Sequence, residues 1–352
     1  MKKYSVLGMM SGTSMDGMDL CLCSFTFSDQ KWLWKIEKAI TLDYSEDWRS
    51  KLENAPQLSS SELLILHSEY GKWIGKMIVQ HFKNEKIDFI SSHGHTIFHQ
   101  PQNSLTFQLG HGQAIASEAG LTTVCDFRTA DVLLGGNGAP LVPVGDKLLF
   151  SDYKACVNMG GFANISFSEN STMVAFDICP ANIVLNERSE KLGQNFDRDG
   201  MLAREGSLDK ELLEKLNSLD FYGKKPPKSL GREWVEEKIY PLLRESNAAV
   251  KDQLRTYTEH CAFQTAKSLD RFAAQDEILF TGGGVYNSFL KERIMHFSKP
   301  KITIPDDELV NYKEALIFAF LAVLRMEKQV NVFNSVTGAS RSTCSGLVFK
   351  AQ

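Results

Sequence analysis

Apolar and polar positions along the chain change period in a way that lays out its elements. Residues 4–8 (YSVLG) and 18–26 carry strand-like apolar runs, separated by a turn over 9–17 that is rich in Gly, Ser, Thr and Asp. Residues 155–159 and 162–167 repeat that layout around Gly160 and Gly161. Two such hairpins, each opening one half of the chain, predict an internally duplicated α/β protein of two domains. Between them, residues 59–82 hold an apolar stripe at helical spacing: Leu63, Leu64, Leu66, Tyr70, Trp73, Ile74, Met77 and Ile78. Residues 87–92 predict a buried strand that stops at a loop (SHGHTIFHQP), 123–128 a further strand, and 131–143 a long Gly/Pro loop. In the second half, helices are expected over 183–193, 199–217, 233–245, 252–273 and 311–328. A buried strand at 277–281 runs into Gly282, Gly283 and Gly284, with a helix from Asn287. The domains are therefore expected at 1–150, rejoined by the tail from near 335, and at 151–334.

Composition narrows the class of function. The chain has 352 residues, 43% hydrophobic and 23% charged, and a formal net charge of −4. That balance is ordinary for a soluble protein and argues against a broad nucleic-acid surface, which needs clustered Lys and Arg. It leaves room for anionic ligands, since backbone amides bind phosphate without net positive charge. Seven cysteines, an odd number, lie mostly in apolar runs and read as reduced thiols of a cytoplasmic protein. The N-terminal apolar run is short and is followed at once by Asp16 and Asp19, unlike a secretory signal. The longest apolar run, 315–324, is about half of what a bilayer span requires. A soluble protein without a membrane partner is expected.

Three turns suit phosphate. Residues 8–17 (GMMSGTSMDG) combine small and hydroxyl residues whose amides can face a phosphate, and Asp16 is placed to hold Mg2+ through water. Residues 158–164 (NMGGFAN) offer Asn158, Gly160 and Gly161, and 280–287 (FTGGGVYN) offer Gly282, Gly283 and Gly284 between a strand and a helix. None follows the spacing of a dinucleotide fingerprint. Three phosphate-suited turns in this order point to a nucleotide, where each alone would be only a turn.

Other polar groups suit a sugar. The segment 92–100 has three histidines without a carboxylate or thiol at ligand spacing, which favours hydroxyl recognition over metal. Arg128 stands between Asp126 and Asp131, either as a local salt bridge or as a fork for a substrate carboxylate. Asp177, in apolar company at a strand end, suits either a helix cap or a desolvated general base.

Residues 8–19, 92–101, 108–112, 126–143, 158–165, 176–182, 196–200, 225–233, 282–287, 313–322 and 336–339 together resemble the anhydro-N-acetylmuramic acid kinase family, in the family's order. The combination of MSGTSMDG, DFRTAD and GGNGAPLVP carries the resemblance. It implies an actin-like, duplicated ribonuclease H-like fold of two domains with an interdomain cleft. It also implies an ATP- and Mg2+-dependent kinase of peptidoglycan recycling. Such an enzyme opens the 1,6-anhydro ring of 1,6-anhydro-N-acetylmuramic acid and phosphorylates O6, giving N-acetylmuramic acid 6-phosphate and ADP. By position, the resemblance implies that Gly12, Thr13, Ser14, Met15, Asp16, Gly17, Met18 and Asp19 hold the ATP phosphates. Asp177 falls on the general base, and Thr96, Arg128 and Glu314 fall on sugar contacts. The family suggests a homodimer. Where it commonly has Thr-Gly beside the base, this chain has Ile178-Cys179, which restricts the backbone there. A kinase for another amino sugar, or a sensor of the same fold without catalysis, are the alternative readings.

Overall fold

The computed structural model describes residues 2–12, 15 and 17–351. The chain divides into two compact units, one of residues 1–149 with 312–352 and one of residues 150–311.

The first unit is built on strands β1 (Lys3–Ser11), β2 (Met18–Ser28), β3 (Lys31–Leu42), β4 (Phe89–Gln100), β5 (Leu105–Leu109) and β6 (Thr123–Cys125). The C-terminal β12 (Leu347–Phe349) completes a sheet of order β12-β6-β4-β1-β2-β3, with β5 paired to β4. β1, β4 and β6 run parallel, while β1-β2-β3 form an antiparallel meander. Helix Ser60–Phe82 starts at a capping box between Ser59 and Glu62 and packs Leu66, Tyr70, Ile74, Ile78 and Phe82 on this sheet. Leu64, expected on that stripe, is 60% exposed. At helical spacing it lies off the arc through Leu66, Tyr70 and Ile74, the arc that faces the sheet.

The second unit carries β7 (Ala155–Met159), β8 (Phe162–Glu169), β9 (Thr172–Pro180), β10 (Glu277–Thr281) and β11 (Lys301–Thr303) in the order β11-β10-β7-β8-β9. β7-β8-β9 is again an antiparallel meander, with β10 parallel to β7 and β11 parallel to β10. The order β3-β2-β1-β4-β6 of the first unit is thereby repeated. Helix Val250–Leu269 is the main support of this sheet. It buries Leu254, Tyr257, Cys261 and Leu269 in the core, and its Tyr257 hydroxyl donates to the Pro180 carbonyl at 3.0 Å.

Several boundaries differ from the expectation. β4 does not stop at Ser92 but continues to Gln100, because its second half pairs with β5, a partner distant from the first-half pairing. The strand expected over 123–128 ends at Cys125, since Asp126 takes a left-handed φ of 58° and turns the chain into helix Thr129–Leu133. The helix expected over 199–217 is two, Met201–Glu205 and Lys210–Asn217, the second capped by the Asp209 carboxylate on the Leu212 amide. The chain returns to the first unit at Tyr312 rather than near 335. The cause is the apolar run of helix Asp307–Met326, whose Phe318 and Phe320 rings lie against Phe127 and against Phe25 and Trp32. Gly8 of β1 permits that packing: a Cβ there would stand 2.0 Å from the Ala315 carbonyl oxygen. Among the described residues, no helix is long and apolar enough to cross a membrane.

Candidate active site

In the first unit β1 ends at Ser11 and β2 starts at Met18. Thr13, Ser14 and Asp16 lie outside the described residues. Met15 has φ 55°, and its amide donates to the Gly12 carbonyl at 3.4 Å. Gly17 is buried, and the Met18 side chain lies wholly in the core, so Met18 offers a ligand only its backbone. The Asp19 carboxylate accepts the Thr41 hydroxyl at 2.6 Å. Ser11, the last residue of β1, is held by Tyr44 at 2.7 Å and by His95 Nδ1 at 2.8 Å. Burial drops the His95 pKa to about 4, so the ring is neutral at physiological pH.

The Arg128 guanidinium is oriented by acceptors rather than by carboxylates. Its Nη2 and Nε donate to His93 Nε2 at 2.8 and 3.3 Å, and its Nη1 donates to the Gly138 carbonyl at 2.6 Å. The flanking acids are engaged elsewhere. Asp126 takes the Thr129 amide at 3.1 Å, and buried Asp131 takes the Gly138 amide at 2.8 Å and the Thr337 hydroxyl at 2.7 Å. The local salt bridge is therefore not formed, and the two acids shape the loop that presents the Arg. His93 is buried, and burial followed by the Arg128 charge pushes its pKa well down. Its neutral ring can thus accept from the guanidinium. Burial lowers Arg128 to about 10, opposed by Glu314, which still leaves it charged at neutral pH. Glu314 is exposed, yet desolvation of its carboxyl by the surrounding protein pushes its pKa up, against the pull of Arg128 and Lys313. Beside it, Lys313 and Asp146 form a buried ion pair at 2.7 Å. Thr96 is half-buried on β4, in register with Gln108 of β5.

The histidines of 92–100 face separate partners. His93 meets Arg128, His95 meets Ser11, and His99 meets Thr106 at 3.1 Å. Among the described residues no group of three His, Cys, Asp or Glu is arranged for a metal.

In the second unit a polar row crosses the sheet. Thr281 of β10 is in register with Asn158 of β7, Asn158 with Asn164 of β8, and Asn164 with Asp177 of β9. The glycine turns sit at the same end. Gly160 and Gly161 close the β7–β8 hairpin, and their carbonyls accept the amides of Asn182, Ala181 and Ile183. Gly282 follows Thr281 with φ 84°, and a Cβ there would lie 2.4 Å from Asn158 Oδ1. Gly283 has open space in front of it. These residues are thus brought together in one unit, as Arg128, His93 and Glu314 are in the other.

Asp177 is not a helix cap; helix Asn182–Glu190 begins five residues later. The register slips between Ala163 and Asn164, so that Ile178 is the extra residue of a bulge. Ile178 and Cys179 are buried in the core, which makes the apolar floor next to the carboxylate. The Leu230 amide donates to Asp177 Oδ2 at 2.8 Å, and the Asp177 amide donates to the Lys228 carbonyl at 3.1 Å. Burial raises the Asp177 pKa, and the Leu230 amide counters part of that rise. Reasoning from sequence did not reach His93 as the partner of Arg128, nor Leu230 as the donor to Asp177. Both lie in motifs that stood out, at 92–101 and 225–233, but the pairing spans 35 and 53 positions.

The sequence pattern of the family described as "Anhydro-N-acetylmuramic acid kinase" matches residues 4–351. A curated relative of that name from Gloeobacter violaceus is 34% identical over 373 residues, covering 98% of both chains. Another from Francisella tularensis subsp. novicida is 33% identical over 377 residues, again covering 98% of each. A relative of the same name from Bacillus cereus (strain ZK / E33L) is 31% identical, with 97% of this chain covered and 98% of its own. Among solved structures, the activator of 2-hydroxyisocaproyl-CoA dehydratase from Clostridium difficile with bound ADPNP aligns with 92% of this chain and 97% of its own. Its identity is 13% and its TM-score 0.44.

Proposed function

This chain belongs to the anhydro-N-acetylmuramic acid kinase family, and from that premise we propose how its own residues carry the reaction. The enzyme is an ATP-dependent carbohydrate kinase. It opens the 1,6-anhydro ring of 1,6-anhydro-N-acetylmuramic acid and transfers the γ-phosphoryl of ATP to O6, yielding N-acetylmuramic acid 6-phosphate and ADP in peptidoglycan recycling. In this reading Asp177 takes a proton from a water that attacks C1. The C1–O6 bond breaks as the new C1–O bond forms, and O6 receives the phosphoryl group. An inverting glycosidase needs an acid to protonate the leaving oxygen. Here the phosphoryl group takes that oxygen, so a single carboxylate serves.

The observation that carries this reading is the polar row ending at Asp177, with glycine turns at the same end of the sheet and an apolar floor beneath the carboxylate. Residues 12–19, Asn158, Gly160, Gly161 and 282–284 are assigned to the nucleotide, whose transfer depends on positioning and charge stabilisation. Arg128, steered by His93 and Gly138, is assigned to the sugar's lactyl carboxylate, with Thr96 and Glu314 as further sugar contacts. Asp16, a hard oxygen donor in the same segment, is assigned to Mg2+ through water, where the ion would offset phosphate charge. The same reading has the enzyme act in the cytoplasm as a homodimer, independent of nucleic acid.

The test is ADP release with 1,6-anhydro-N-acetylmuramic acid, N-acetylmuramic acid and N-acetylglucosamine in parallel. Turnover of the first alone is expected. Turnover of another amino sugar instead would replace the substrate, and turnover of none would leave a sensor.

A further inference from the structure

We infer that Lys228 is a positioning residue for Asp177: its ammonium clips residues 228–230 onto the open edge of the second sheet, and so keeps the Leu230 amide on the Asp177 carboxylate. The inference rests on the reading of Asp177 as the base.

β9 is the last strand of its sheet, so the outer backbone groups of its terminal residues have no strand to pair with. Residues 228–230 supply the partner. The Asp177 amide donates to the Lys228 carbonyl at 3.1 Å, and the Leu230 amide donates to Asp177 Oδ2 at 2.8 Å. Backbone and carboxylate of one residue are thus tied to one three-residue stretch. That stretch has little else to hold it, because residues 223–227 and Ser229 are exposed. Its anchors are the Leu230 side chain, which packs on the core, and Lys228. The Lys228 ammonium donates to the Phe221 carbonyl at 3.2 Å and stands 4.5 Å from the Phe221 ring centre and 5.5 Å from that of Phe176. Phe176 is the residue before Asp177, so the clip grips the same strand end that carries the base. An ammonium between two rings gains most where water is scarce, and burial lowers the Lys228 pKa.

The titratable and charged groups around the clip are Asp177 itself, Cys179 on the same strand, Lys228, and Lys267 from helix Val250–Leu269. Of the influences on Asp177, burial raises its pKa and the Leu230 amide lowers it. Lys228 therefore acts on the base through the amide it holds in place. Without the clip, the carboxylate loses a donor that favours its charged form, and its pKa rises.

The test uses the full-length enzyme with ATP and sugar saturating. Lys228→Met keeps the length of the stem and removes the charge. Its acid limb of kcat should move up by about one pH unit, as expected for losing one hydrogen bond to a carboxylate, while KM for ATP stays within about twofold. Lys228→Arg, which also stacks on rings, should restore most of the wild-type profile. Leu230→Pro deletes the amide with Lys228 present and should shift the limb in the same direction. Lys228→Gln replaces Lys228→Met if the latter fails to fold. A wild-type pH profile in the neutral variant overturns the inference, and so does a shift that Leu230→Pro does not share. Asp177→Asn separates the two readings. If it is inactive while the Lys228 variants keep the normal profile, only the clip is wrong. If it is fully active, the base is wrong.

Discussion

The two sheets share one strand order, yet the strands that correspond differ in length and in what they present. β4 of the first unit has 12 residues and bends into a second pairing with β5, whereas β10 of the second has five and stops at Gly282. The extra length of β4 carries Thr96 and His99 past its parallel pairing with β1, which ends at His95 opposite Ser11. β10 ends instead in three glycines that offer only backbone. The first hairpins differ in the same sense. β1 and β2 are joined across residues 12–17, while β7 and β8 turn on Gly160 and Gly161 alone. Changes in strand length and turn content thus let one duplicated frame present two different sets of groups. The first unit presents side chains that orient an arginine, and the second presents glycine backbone beside a polar row that ends in a single carboxylate at its edge.

The sharpest way to break this comparison is to remove that carboxylate. Asp177→Asn preserves shape, and kcat should fall by about 10²–10⁴-fold with little change in ATP affinity. In the wild type, a base whose pKa is raised must lose activity as pH falls through that pKa, so the acid limb should lie above the ordinary aspartate range. Reaction in ¹⁸O-labelled water should put label on the anomeric oxygen, read early against preformed product, and none in the phosphate. Labelled phosphate would reject the role assigned to Asp177.

A middle-sized effect concerns the frame of the first unit. Gly8→Ala places a Cβ 2.0 Å from the Ala315 backbone oxygen, a clash that no side-chain rotation relieves. A loss of about 3 kcal/mol is expected, measurable as a lower midpoint in urea unfolding. An unchanged midpoint would show that β1 and helix Asp307–Met326 are less tightly joined than described.

The smallest expected effect tests the division of labour itself. Arg128→Lys keeps the charge but cannot reach His93 and Gly138 with one planar fork. KM for the sugar should rise by about tenfold while KM for ATP hardly moves. An equal rise in both would mean that Arg128 does not discriminate between the two substrates.

The sequence by itself determined the elements whose signal is local. The glycine turns at 160–161 and 282–284, the buried runs of β1, β7 and β10, and the duplication they announce were legible because turn chemistry and apolar runs need no distant partner. Asp177 stood out as a carboxylate in apolar company, and Arg128 as a cation between two acids. What each of them binds was decided by tertiary structure. Arg128 had two acids as sequence neighbours, yet both are engaged by amides and Thr337, which left the ring of His93 to receive it. β3 was not anticipated, because Lys31, Lys35, Glu37 and Lys38 interrupt its apolar positions and only pairing with β2 makes it a strand. The second half of β4 was read as a loop for the same reason: His95, Thr96 and His99 are strand residues that pair with β5. The return at Tyr312 likewise depends on Phe25, Trp32 and Phe127, which lie far away along the chain. Such pairings, from neighbouring hairpins to contacts across hundreds of positions, are set by which surfaces meet when the chain packs, and the apolar and polar pattern of one segment holds no record of that meeting.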